Sequence, residues 1–300
     1  MNGTIDGFSY GAVTPVAGYL MAVLGSALGL RCVARCVHYR QGWKPGWLAL
    51  GAACIGCGIW TMHFIAMTGF QIEEAPIRYD VAVTVLSLAV AIVVVGIGVF
   101  IVGYRGAGVV TLVSAGAITG LGVAAMHYLG MYAMHLPGSL RYDPFIVVLS
   151  VAIALGAAIA ALWAAVSIRG FASSLGASLV MGVAISGMHY TGMAAVSVHL
   201  HNAPATGDGA TPVSLLLPML LGPVVFLILA TAIVVMDPLF VAGHTDGRRN
   251  GSPRAASRGR GPEPAPARPR AGAHRAERDN RPAWSPRPDR NATHEQRAPR

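Results

Sequence analysis

Residues 81–102 contain no charged side chain. A helix rises about 1.5 Å per residue and needs about 20 residues to cross a bilayer's hydrocarbon core. A soluble core helix rarely needs an apolar surface that long. Six further apolar segments share the pattern, so the spans are expected at about 11–30, 46–68, 81–103, 107–134, 144–168, 171–198 and 212–236. Charged residues make up only 12% of the chain against 54% hydrophobic, too few to cover a soluble surface. Unpaired backbone groups are not tolerated in lipid, and the abundant Gly and Ala suit closely packed helices. The expected fold is therefore an all-α membrane protein with seven transmembrane helices.

The net charge of +9 is unevenly placed. Residues 1–241 carry eight Lys/Arg and seven Asp/Glu, whereas residues 242–300 carry fourteen Arg and six Asp/Glu. Arg31, Arg35, Arg40, Lys44, Arg105 and Arg169 fall in the odd-numbered loops. Asp6, Glu73, Glu74, Asp80, Asp143 and Asp208 fall on the other side, with only Arg78 and Arg141 as cations. Positive residues stay cytoplasmic, which puts the N-terminus outside and the C-terminus inside. The first span lacks the basic flank of a cleaved signal and is expected to be retained. Residues 242–300, rich in Arg, Pro, Ala and Gly, are expected to form a disordered basic cytoplasmic tail with no specific nucleic-acid partner. Cys32, Cys36, Cys54 and Cys57 cluster in the first two spans, unlike the framework of a secreted disulfide protein.

An internal repeat carries the chemistry. Gly56-Cys-Gly-Ile-Trp-Thr-Met62-His63-Phe-Ile-Ala-Met67 aligns with Gly120-Leu-Gly-Val-Ala-Ala-Met126-His127-Tyr-Leu-Gly-Met131 and with Gly182-Val-Ala-Ile-Ser-Gly-Met188-His189-Tyr-Thr-Gly-Met193. The histidines are 64 and 62 residues apart, one helix pair per repeat, giving three helix-pair repeats. Arg-Tyr-Asp recurs at 78–80 and 141–143. Each histidine and the methionine four residues later share a helix face, while the preceding methionine points about 100° away. The even helices all run in one direction, so the cassettes should lie at one depth in the outer half of the membrane. An intramembrane histidine is a functional-site candidate in its own right. Imidazole with thioether suits copper, above all Cu(I); oxygen-seeking Mg²⁺ and Ca²⁺ are poorly served, and thioether is a poor zinc ligand. Haem iron stays open, since His and Met both serve it axially.

Met188-His189-Tyr190-Thr191 spells the motif of the MHYT family of bacterial integral membrane sensor domains, and Met62-His63-Phe64-Ile65 and Met126-His127-Tyr128-Leu129 resemble degenerate copies. The resemblance covers about residues 8–240. It implies a multi-pass sensor domain of the bacterial inner membrane that holds copper and detects O₂, CO or NO. By position it makes Met62, His63, Met67, Met126, His127, Met131, Met188, His189 and Met193 the metal ligands. Family members often continue into cytoplasmic domains that make or degrade cyclic dinucleotides. Here only the basic tail follows, so the lipid bilayer, a diatomic gas ligand and a cytoplasmic signalling partner are the expected partners.

Phosphate-binding loops, paired catalytic carboxylates and nucleophile–base pairs are not found, so no enzymatic activity is expected. The spans also lack the acids a proton-coupled transporter uses. The alternatives are a copper transporter or metal-delivery protein and a haem-bearing membrane oxidoreductase. Cys54 and Cys57 read mainly as packing. His135, His199 and His201 read as interfacial, and Trp43, Trp47 and Tyr79 as aromatic belts at span ends.

Overall fold

The computed structural model describes residues 5–6, 9–38, 44–72, 77–168, 170–200 and 212–236. The basic tail lies outside these residues, as do Arg40, Trp43, Glu73, Glu74, Arg169, His201 and Asp208.

The described residues form seven long helices: α1 (Val13–His38), α2 (Lys44–Thr68), α3 (Val81–Arg105), α4 (Val109–Tyr132), α5 (Pro144–Ser167), α6 (Phe171–Ala194) and α7 (Pro212–Val235). All seven are long and apolar enough to cross a membrane, and the fold is all-helical through its spans as expected. Helices α1 to α6 pack in chain order into a ring that α6 closes against α1, and α7 packs on α2 and α1.

Three antiparallel ribbons of strand, which the all-helical reading omitted, join this ring. β1 (Ile5–Asp6) pairs with β2 (Gln71–Ile72), β3 (Arg78–Tyr79) with β4 (Met134–His135), and β5 (Gly138–Tyr142) with β6 (Val196–Leu200). Each ribbon joins the strand before an odd helix to the strand after the next even helix, so the repeated unit is strand–helix–helix–strand. Equivalent bonds close each unit: the N–H groups of Ser9, Asp80 and Asp143 donate to the carbonyls of Gly69, Ala133 and Ala195 at 3.1, 2.9 and 2.9 Å. The end of the sixth predicted span, 171–198, is corrected here. The helix stops at Ala194 and residues 196–200 are β6, where Val196 and Val198 are buried and Ser197 is exposed. That two-residue alternation is the signature of a strand.

The Arg-Tyr-Asp recurrence now has a structural cause. Asp80 is the N-cap of α3, accepting from the Val83 N–H at 2.9 Å; Asp143 caps α5, accepting from Phe145 and Ile146 at 2.8 and 3.3 Å. Such caps satisfy amides the helix leaves unpaired. Tyr79 packs on Phe64 with ring centroids 6.3 Å apart, and Tyr142 on Tyr128 at 6.0 Å. Tyr79 is only 2% exposed and is therefore no membrane-interface belt residue.

The first predicted span also needs correction. Helix α1 continues to His38, so Arg31 and Arg35 lie on its last turns rather than in a loop. The hydropathy signal ends at the first cation, but the helix need not, because long cationic side chains can lie along apolar or aromatic surface. Arg31 sits over Phe171 at 5.0 Å, Arg35 over Trp47 at 4.3 Å, and Lys44 over Tyr104 at 4.8 Å. These stacked cations gather at the end of the bundle opposite the cassettes.

Candidate metal centre

Each cassette opens with a glycine seven residues before its histidine, and these glycines bring neighbouring repeats together. A Cβ at Gly56 would lie 2.8 Å from the Ile92 Cα of α3, and one at Gly120 would lie 2.7 Å from the Leu155 Cα of α5. One at Gly182 would lie 2.6 Å from a Val23 methyl of α1. Each even helix thus leans on the first helix of the following repeat, and the third contact closes the ring. Glycine permits such close approach because it has no side chain to displace.

This closure brings three side chains from distant parts of the sequence to one point. The Nδ1 atoms of His63 and His189 are 3.0 Å apart, those of His127 and His63 3.2 Å, and those of His189 and His127 3.4 Å. The rings meet edge-on like propeller blades, at interplanar angles of 80°, 80° and 89°. All three residues are at most 1% exposed, and together they form a set able to hold a metal ion. A triangle with these sides has its centre about 1.9 Å from every corner (mean side over √3), close to the roughly 2.0–2.1 Å of a zinc–imidazole bond. In the tautomer that leaves all three Nδ1 atoms unprotonated, lone pairs face one another at a separation that suits a shared cation.

The outer edges of the rings are held by sterics. The Nε2 atoms of His63 and His127 are buried and have no hydrogen-bond partner. A Cβ at Gly130 would collide with Nε2 of His63, and one at Gly192 with Nε2 of His127. Each of these imidazoles is therefore seated on a backbone glycine of the next repeat. The equivalent position in the first cassette is Ala66. These glycine seats escape a search for ligand residue types, although glycine three residues after His in the second and third cassettes was a visible signal.

Of the nine predicted ligands, the structure brings together the three histidines. Met67 and Met131 lie one turn further along the same helix faces, fully buried, whereas Met193 is only half-buried. Met62, Met126 and Met188 are buried beside the histidines that follow them. His135 is exposed on β4, with Nδ1 3.2 Å from the Ala133 carbonyl, and His199 is half-buried on β6. Neither belongs to the triad. The thiols group differently from their sequence spacing: Cys32 of α1 is buried in one cluster with Cys54 of α2. These two and Cys57 are buried with Leu227 and Ala230 of α7.

The chain matches the MHYT family, described as a bacterial signalling protein N-terminal repeat, at residues 56–115 and 120–178. The third cassette begins at Gly182, beyond the matched residues, yet its histidine completes the triad. The chain is 34% identical over 197 residues to the bifunctional diguanylate cyclase/cyclic di-GMP phosphodiesterase MucR of Pseudomonas aeruginosa, covering 64% of this chain and 29% of that protein. It is 38% identical over 203 residues to the cyclic di-GMP phosphodiesterase NbdA of the same organism, covering 64% and 26%. It is 28% identical over 193 residues to the signaling protein YkoW of Bacillus subtilis, covering 62% and 24%. The chain spans less than a third of the length of these relatives. No solved structure matches it. Over residues 56–115 and 120–178, and in the cassettes these share, the chain carries the repeats of the MHYT family of bacterial signalling proteins.

Proposed function

We propose that this protein is a sensor of the bacterial inner membrane whose three histidines hold copper, chiefly as Cu(I), with the cassettes in the periplasmic half. The observation that carries this reading is the triangle of Nδ1 atoms 3.0–3.4 Å apart. The donors are three neutral imidazoles, with no carboxylate or thiol in the group. Burying an ion among neutral ligands costs free energy that scales with the square of its charge, so a monovalent ion costs about a quarter as much as a divalent one. That favours Cu(I) over Zn²⁺, which with three histidines also takes a water in its fourth position. Met67 and Met131, one turn beyond and buried, are the soft donors available to complete the set, with Met193 and the methionines Met62, Met126 and Met188 as further candidates. Haem is disfavoured, because a porphyrin plane does not fit between imidazoles whose nitrogens are about 3 Å apart.

Bound Cu(I) would supply an electron-rich centre able to take a diatomic ligand such as O₂, CO or NO, or to change redox state. The protein's contribution is mechanical: each histidine is on a different helix, so altered ligation changes how α2, α4 and α6 pack. A ligand shifts that packing only by its difference in affinity for the two arrangements. Relatives that make or degrade cyclic di-GMP suggest that the change is passed to a cytoplasmic signalling partner. Elemental analysis of purified protein tests the metal site: the wild type is expected to hold copper and the His63→Ala/His127→Ala/His189→Ala variant none. Equal copper in both would end this reading.

The shared burial of Cys32 of α1 with Cys54 and Cys57 of α2 favours a second reading, copper transport or delivery, because it gathers soft donors in the half of the bundle away from the triad. Saturable copper uptake that depends on both Cys54 and His127 would support it over a pure sensor.

A further inference from the structure

A partly open apolar cavity of about 60 Å³ lies in the bundle, and its walls follow the spacing of the histidines. Ile59, Val123 and Ile185 stand four residues before His63, His127 and His189, and all three line it. Ile55, Thr119 and Met181, eight residues before the same histidines, line it as well. Positions four apart share a helix face, about 6 Å apart along the axis. The cavity therefore continues the axis of the triad for two turns into the bundle, directly beneath the three imidazoles. Met188, a candidate ligand beside His189, also borders it. Its far wall is a row of α5 methyl groups that includes Ala154, Ala158 and Ala161.

The lining determines what can enter. Thr119 carries the one hydroxyl among the lining side chains, and that hydroxyl already donates to the Val94 carbonyl at 3.5 Å. A buried water needs two to four polar partners, whereas dry apolar cavities accept xenon or benzene. From these observations we infer that the cavity is a dry chamber that takes a small uncharged apolar molecule, of the size of xenon or a diatomic gas, and delivers it to the inner face of the triad. The part concerning delivery rests on the metal reading above; the chamber itself does not. Apolar gases are more soluble in lipid than in water, so the membrane interior is the natural source. The layer of Ile59, Val123 and Ile185 is then the last barrier before the imidazoles.

Two measurements separate the chamber from the metal. In metal-free protein, xenon titration followed by ¹²⁹Xe NMR should show saturable binding in the wild type. Binding should be lost in Ala158→Phe, or in Ala161→Leu should the first variant fail to fold. Equal xenon binding by wild type and filled variant overturns the chamber. In Cu(I)-loaded protein, recombination of CO after flash photolysis should slow about tenfold in the filled variant with copper content unchanged. It should quicken in Val123→Ala, which thins the barrier. Unchanged CO recombination in a variant that has lost xenon overturns delivery through the chamber. Should the wild type hold no copper, the metal reading falls while the xenon result still decides the chamber.

Discussion

At the level of His63, His127 and His189, helices α2, α4 and α6 meet through ring nitrogens 3.0–3.4 Å apart. One turn lower, at Ile59, Val123 and Ile185, the same helices border a void. The two layers share their backbones and their spacing, so the contrast arises from side chains. An imidazole is long and flat, reaches the axis, and is backed at two of three corners by glycine. A β-branched side chain is short and stiff, and the alanines of α5 do not fill the space that remains. The bundle thus sets a closed polar layer on an open apolar one. Depth along one axis, rather than membership of the repeat, decides what each position does.

The largest effects are expected at the polar layer. His127→Ala is expected to lower bound copper to the level of the triple variant, because two remaining imidazoles leave one side of the triangle open. Elemental analysis with chelator competition measures it, and near-wild-type affinity would show that the triad does not act as one site. Next in size is linkage. Copper at one hundred times its dissociation constant should stabilise the fold by about 2.7 kcal/mol, seen as a raised Tm that the triple variant lacks. An equal rise in both would place copper elsewhere.

A smaller effect is expected at the glycine seats. Gly130→Ala or Gly192→Ala pushes a methyl group against a buried imidazole edge, and copper affinity is expected to fall about 10- to 100-fold, as for residues that orient metal ligands. Unchanged affinity at wild-type helicity by circular dichroism would remove the seats from the account. The smallest effect is expected at the ribbon. Asp143→Ala removes the cap of α5 and should cost about 1 kcal/mol of stability while leaving copper affinity unaltered. A matching loss of copper would couple the ribbon to the centre.

Much of this was legible in the sequence because helical periodicity is local. The spans appeared as uncharged runs, and the cassettes appeared because three copies of a rare residue pattern share one spacing. What failed did so for definite reasons. Two-residue strands such as Arg78–Tyr79 are too short to show a period, and β6 was hidden inside an apolar run that continued past the end of α6. Tyr79 stood where an interfacial aromatic is expected, but its ring packs on Phe64 of α2. Cys32 and Cys54 are 22 residues apart, so their burial in one cluster depended on how α1 packs against α2.

Seven apolar helices long enough to cross a membrane, and histidines at one level on alternate helices, follow from the order of residues alone. The methionines beside them are the ground on which a soft metal is proposed as their partner. The tertiary structure decided that three nitrogens converge, that backbone glycines seat two of the rings, and that an apolar chamber continues beneath them. The division has one physical cause. Spacing along a helix follows from a fixed rise per residue, whereas meeting across helices depends on how α6 closes against α1, and no segment of the chain holds that closure alone.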